Sequence, residues 1–244
     1  MELCIFNKIE DDLCIKGILE KDNVIVLRNI IEFSETEGVT SSAIKEYVAT
    51  RLANDDNILS RLAQAGKFIG DDLYRLAKFD IEQIYKKLFS TQIKYAPSGN
   101  PIGFSNGYVA SIRAITESKS AQELLDLLIE HYRKFGSGIL AKYNAFRYDG
   151  ELIGVSNTDD ITFDSLVGIE YQKQVLIDNT KAFVSGKAAN NVLLFGDRGT
   201  GKSSSVKALL NMFCDDGLRI IEMPKHCIKA VSYTHLTLPT ICSV

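Results

Sequence analysis

The 244-residue chain is 45% hydrophobic and 24% charged, a balance that excludes collagen, bulk disorder and a small disulfide scaffold. Its net charge of −3 gives no general pull toward nucleic acid or an anionic membrane. No apolar run approaches the ~20 residues that span a bilayer, and MELCIFNKIEDD lacks the basic and apolar regions of a signal peptide, so a cytoplasmic protein with no membrane partner is expected. Cys4, Cys14, Cys214, Cys227 and Cys242 are scattered without a CxxC pair, which points to reduced thiols. With no Trp and three His, a His-rich metal site is not expected.

Residues 1–155 read as a mainly helical N-terminal domain. NVIVLRNIIEF sets apolar residues on a broad helical face, and SSAIKEYVATRLA repeats the pattern with Ile44, Tyr47, Val48 and Leu52. DDLYRLAKF and DIEQIYKKLF predict two short helices, the second opened by a capping box of Asp80 and Gln83. Lys86 and Lys87 fall on a solvated face. KYAPSGNPIGFSNGY, rich in Pro, Gly, Ser and Asn, predicts a loop. Ser120 and Glu123 form a second capping box, opening a helix whose Leu124, Leu127, Leu128 and Tyr132 make one stripe and whose end is set by Gly136 and Gly138. His131 on that helix reads as a surface or interface residue. ILAKYNAFRYDGELIGV predicts two short strands around Asp149-Gly150, and the polar SNTDD (156–160) predicts a linker.

Beyond the linker the pattern changes. GIEYQKQVLIDNTKAFVSG predicts a helix ending at Gly186, NNVLLF a buried parallel strand, SSSVKALLNMF a helix and LRIIEM a further strand. Strand, loop, helix and strand in this order predict a parallel α/β domain. Between NNVLLF and SSSVKALL stands Gly196-Asp197-Arg198-Gly199-Thr200-Gly201-Lys202-Ser203, a match to G-x-x-x-x-G-K-[ST], the phosphate-binding loop. A di- or triphosphate needs several donors converging from one side. Glycines let successive backbone N–H groups point inward, and the following helix directs its positive end to the same place. Lys202 would reach the β- and γ-phosphates, as the candidate catalytic residue. Ser203 would ligate Mg²⁺ through its hydroxyl, with Ser204 beside it in the loop's binding set. Asp197 and Arg198 occupy variable positions of the loop, where solvated side chains are expected. A Gly-rich turn carrying an exposed lysine is the competing reading of the same residues.

Upstream, Phe163-Asp164-Ser165-Leu166-Val167-Gly168-Ile169-Glu170 leads into the helix before the loop strand. It resembles the entry segment of AAA+ ATPases, a D-x-L/I-x-G element beside the adenine; an ordinary turn packed under the helix is the alternative. Carried over by motif position, Leu166, Val167 and Gly168 would border the base. The stretch from ITFDSLVGIE to ALLNMF resembles an uncharacterised family of bacterial AAA+ ATP-binding proteins with a helical N-terminal region. The resemblance is specific over residues 160–229 and weaker over 1–155. It implies an α/β P-loop NTPase (AAA+) fold with sheet order 5-1-4-3-2, in which the two strands supplied here are not neighbours. It also implies ATP and Mg²⁺ as cofactors, hydrolysis of ATP, and a homo-oligomer that remodels an unknown protein or DNA partner. Walker B, sensor, arginine-finger and lid residues are not identifiable. Asp215-Asp216 reads as a helix-ending loop, and His226-Cys227 lacks the partner pair of a metal site. A DNA-associated loader or initiator-like ATPase and a nucleotide-gated module without turnover stay open. No basic stripe favours the first.

Every Asp, Glu, Lys and Arg lies before the last 14 residues, Val231 to Val244. VSYTHLTLPT matches one reading frame of a transposon-end adapter used in DNA sequencing libraries, GTC TCT TAT ACA CAT CTG ACG CTG CCG ACG. The expected division is therefore a helical domain over 1–155, the N-terminal part of an ATPase domain over 156–229, and an adapter-encoded tail over 230–244. The fold is then truncated after its second strand and inactive in hydrolysis as it stands.

Overall fold

Asp12, Asp22, Asn57, Ser105 and Ser120 each stand one residue before a helix, and each side chain accepts a hydrogen bond from the first turn. The helices they open are α1 (Leu13–Glu20), α2 (Asn23–Glu37), α4 (Ile58–Gln64), α6 (Asn106–Thr116) and α7 (Ala121–Phe135). The structure is a computed structural model that describes residues 2–38, 42–89, 104–156, 159–224, 227 and 241–243. The chain divides into two units, Met1–Lys142 and Tyr143–Val244.

The described residues of the first unit form helices and their connections. The unit adds α3 (Ala43–Ala53), α5 (Asp71–Ile84) and the short α8 (Ile139–Lys142) to the capped helices. The expected stripe of α3 faces the core, with Ile44, Tyr47, Val48 and Leu52 all buried. On α7, Leu124, Leu128 and Tyr132 are fully buried and Leu127 is packed against them at the edge. The Tyr132 hydroxyl donates to the Leu52 carbonyl at 2.6 Å and so fastens α7 to α3. Ser120 accepts from the Glu123 N–H as expected, but the Glu123 carboxylate returns to the N–H of Lys119, one residue before the cap. Gly136, at φ 80°, ends the helix.

Three expectations change in this unit. The break at Asp80 does not occur: α5 runs through it, and a π turn (Tyr85–Phe89) follows. Asp80 caps a different segment. Its carboxylate, fully buried, accepts from the N–H groups of Cys4, Ile5 and Phe6 at 2.6–3.1 Å. His131 is not at the surface but 1% exposed, its Nδ1 2.9 Å from Ser111 Oγ and its Nε2 without a partner. The imidazole lies among the rings of Tyr108, Tyr132 and Phe135, an apolar neighbourhood that keeps it neutral. The expected loop over 94–108 ends early, because Ser105 caps α6. Residues 94–103 lie outside the described residues. Lys86 and Lys87 are exposed, as expected.

The second unit mixes strands and helices. Strands β1 (Ala145–Tyr148) and β2 (Leu152–Val155) form the expected hairpin around Asp149-Gly150, with Gly150 at φ 81°. A Cβ at position 154 would lie 2.2–2.6 Å from ring atoms of Tyr143, so any other residue there would have to displace that ring. The hairpin belongs to the second unit rather than to the helical domain, because β1 also pairs in parallel with β4 (Ile220–Glu222). The division therefore falls between residues 142 and 143, not at 155. Part of the expected linker, residues 157–158, lies outside the described residues. Helices α9 (Glu170–Val184) and α10 (Lys202–Phe213) flank β3 (Val192–Leu194), and Phe163, Leu176, Leu209 and Phe213 form the core.

Among the described residues no single parallel sheet holds both expected strands. The described strands make two small sheets, β2-β1-β4 and a parallel pair of β3 with β5 (Ile241–Ser243). β3 is also not fully buried. Val192 and Leu194 pack on the core, whereas Leu193 is 61% exposed and nothing among the described residues covers that face. The expected tail over 230–244 is described only at 241–243. Among the described residues no helix is long and apolar enough to cross a membrane.

Candidate functional site

The site is built where β3 turns into α10. The entry to β3 is fixed first: Asn179 on α9 donates to the Asn190 carbonyl and accepts from its N–H, both at 2.9 Å. This exchange copies the pairing of a neighbouring strand. Phe195, 80% exposed, ends the apolar run. Gly196, Gly199 and Gly201 then take φ values of 142°, 86° and 83°, where a Cβ would be strained. These three residues let the chain fold back and enter α10 with Gly201 as its N-cap.

Inside the loop, Thr200 Oγ1 donates to the Asp197 carbonyl at 2.9 Å. Lys202 Nζ donates to the carbonyls of Gly196 and Asp197 at 2.8 and 2.9 Å. The ammonium is thus held at the loop by backbone dipoles. Among the described residues no carboxylate forms an ion pair with Lys202 or Arg198. The first N–H groups of α10 have no helical acceptors and carry the positive end of a 12-residue helix. Ser203 is exposed on the first turn and Ser204 half-buried beside it. Ser205 is buried, and its hydroxyl returns to the Gly201 carbonyl at 2.9 Å, which makes it part of the helix start rather than of the anion site. Asp197 and Arg198 are exposed. An unneutralised ammonium, a helix N-terminus and an exposed hydroxyl on one loop suit a multiply charged oxyanion, with the hydroxyl free to face a hard cation such as Mg²⁺.

The upstream segment reaches the same loop in part. A 3-10 turn (Phe163–Ser165) buries Phe163 and brings Leu166 round to α10. A Cβ on Gly201 would sit 3.7 Å from Leu166 Cδ2 and 4.0 Å from Ile169 Cδ1. Leu166 therefore lies beside Gly201. Val167, 89% exposed, points to solvent, and Gly168 turns the chain into α9 at φ 83° without touching the loop. Ile169 and Asn211 are participants that no motif marks. Asn211 Nδ2 donates to the carbonyls of Asp159 and Ile161, and Lys207 pairs with the Asp159 carboxylate.

Other candidates stay apart. Asp215 and Asp216 lie in the 3-10 turn after α10, as a helix-ending loop. Cys227 is a free thiol, and His226 lies outside the described residues. Among the described residues no three His, Cys, Asp or Glu side chains cluster to hold a metal.

No curated protein and no solved structure matches the chain. Over residues 141–238, a span that opens just before the second unit, contains the whole loop and runs into the 230–244 stretch, the chain matches the model of a family described as "Protein of unknown function (DUF815)".

Proposed function

We propose that the second unit binds Mg²⁺·ATP at the 196–203 loop, as the nucleotide-binding part of an AAA+-type ATPase. The observation that carries this is Lys202. Its ammonium is folded onto the loop's own carbonyls, with no carboxylate partner, at the positive end of α10. Phosphate oxygens would replace those carbonyls as its acceptors. The N–H groups from Gly199 to Ser203 would face the same oxygens, and the Ser203 hydroxyl would hold Mg²⁺. The cation, when bound, neutralises the charge of the β- and γ-phosphates. Leu166, at the edge of Gly201, supplies an apolar surface on the base side, with Val167 and Gly168 next to it.

The resemblance to AAA+ ATPases extends the proposal to a cytoplasmic homo-oligomer that hydrolyses ATP to remodel a protein or DNA partner. Calorimetric titration of Mg²⁺·ATP into the parent chain and into Lys202→Ala tests the binding step. Losing one charge-assisted contact, worth about 1.5–3 kcal/mol, should weaken binding about tenfold to hundredfold. Equal affinity in the two proteins would refute the proposal.

A further inference from the structure

We infer that Asn211, on α10 ten residues beyond Gly201, is a positioning residue for the base-side wall of the nucleotide site. The inference rests on the nucleotide reading above. A carboxamide has two N–H donors. Asn211 spends them on the carbonyls of Asp159 and Ile161, at 2.8 and 2.9 Å. One Nδ2 thus bridges two carbonyls of the segment, which draws the backbone of residues 159–161 around it. Lys207, one turn earlier on the same face, holds the Asp159 carboxylate.

From this clamp the path to the loop is short and fixed. Ile161 packs on the core and Phe163 is buried in it. Ser165 closes the 3-10 turn twice on the Thr162 carbonyl, through its N–H at 3.2 Å and its hydroxyl at 2.7 Å. The Leu166 N–H bonds the Phe163 carbonyl at 3.1 Å, and the Leu166 side chain meets Gly201. The segment is therefore held to the far end of α10 by Asn211 and laid against its head by Leu166. About 15 Å of helix separates the two ends. Freed from Asn211, the wall loses its register while the phosphate loop, which makes none of these bonds, keeps its own.

The distinguishing property is a split between base and phosphate. Mg²⁺·ATP and, separately, magnesium tripolyphosphate, which has phosphates and no base, are titrated into the full chain, Asn211→Ala and Asn211→Asp. Losing two neutral hydrogen bonds should weaken Mg²⁺·ATP about five- to tenfold in Asn211→Ala, while tripolyphosphate changes less than about twofold. Asn211→Asp sets acceptor oxygens against two carbonyls and should be the worse of the two. Equal loss of both probes, or no loss of either, overturns the inference, and an Asn211 variant that fails to fold by circular dichroism counts as equal loss. Lys207→Met, an exposed change, should give the same split at about two- to threefold, and its absence there also counts against the inference. Lys202→Ala keeps the two ideas apart. If it leaves both probes bound as before, the nucleotide reading fails. If it releases both while the Asn211 variants show no split, only the positioning role fails.

Discussion

Replacing Asp80 should release the first residues of the chain from the helical unit. The carboxylate is fully buried and makes four contacts to three consecutive N–H groups, those of Cys4, Ile5 and Phe6. In Asp80→Ala, Cys4 is exposed and its N–H can turn to water. Ile5 and Phe6, 6% and 0% exposed, cannot. Two buried donors without partners cost about 1–3 kcal/mol each, and removing one side of a buried charged arrangement costs about 3–5 kcal/mol, so a loss of about 3–4 kcal/mol is expected. Asp80→Asn loses the charge but keeps one acceptor oxygen, which in the place of Oδ2 still faces the N–H groups of Cys4, Ile5 and Phe6, so it should recover part of the loss. Urea unfolding measures the total, and amide exchange at Ile5 and Phe6 locates it. A change below about 1 kcal/mol, or unchanged protection of those two amides, would refute the reasoning, because the observed geometry leaves them no other acceptor.

Burial lowers the His131 imidazole from its ordinary 6.5 to about 4. The unfolded chain then binds the extra proton between these values, so stability is complete above about pH 6.5 and falls as pH drops toward 4, by up to about 3 kcal/mol. His131→Leu should flatten that part of the pH–stability curve, and parallel curves for the two proteins in urea titrations at pH 4–7 would contradict this. Burial, helped by the nearby Asp12 carboxylate, pushes the Cys14 thiol up to about 12, whereas Cys4 is exposed. Iodoacetamide at pH 8 should therefore label Cys4 in the native protein and reach Cys14 only in denaturant, as peptide mass spectrometry would report.

What the sequence made legible is what is written in consecutive residues. The stripes of α3 and α7, the cap at Ser120, the turn at Asp149-Gly150 and the loop from Gly196 to Ser203 are all local patterns, and each is found where it was expected. The Asp80 capping box failed for the converse reason. A carboxylate three residues before Gln83 looks the same whether it caps its own helix or reaches the N–H groups of residues 4–6, more than 70 positions away. The hairpin's membership of the second unit is not legible locally, because the parallel partner of β1 is β4, some 75 residues later. The burial of His131 is not legible either, because an imidazole on an amphipathic helix carries no sign of the three rings that enclose it. At the candidate site the loop is a run of consecutive residues and is legible as such, but the reach of Asn211 to the Asp159 and Ile161 carbonyls is not. Its role depends on which carbonyls lie opposite, and a lone Asn near a helix end announces nothing.

The bond from Tyr132 to Leu52 bears on how the first unit assembles. Leu52 lies in the last turn of α3, where carbonyls have no helical donor of their own. The N–H of Asp55 gives that oxygen one bond, and its second comes from a phenol 80 residues further along the chain. While α7 is unmade, the end of α3 lacks that bond. While α3 is unmade, the fully buried hydroxyl of Tyr132 has no acceptor. The two helices thus share one closing step of high sequence separation, as the Asp80 carboxylate and the N–H groups of residues 4–6 do. Such a step penalises half-formed states, favours all-or-none unfolding and slows the final docking relative to the microsecond growth of its helices.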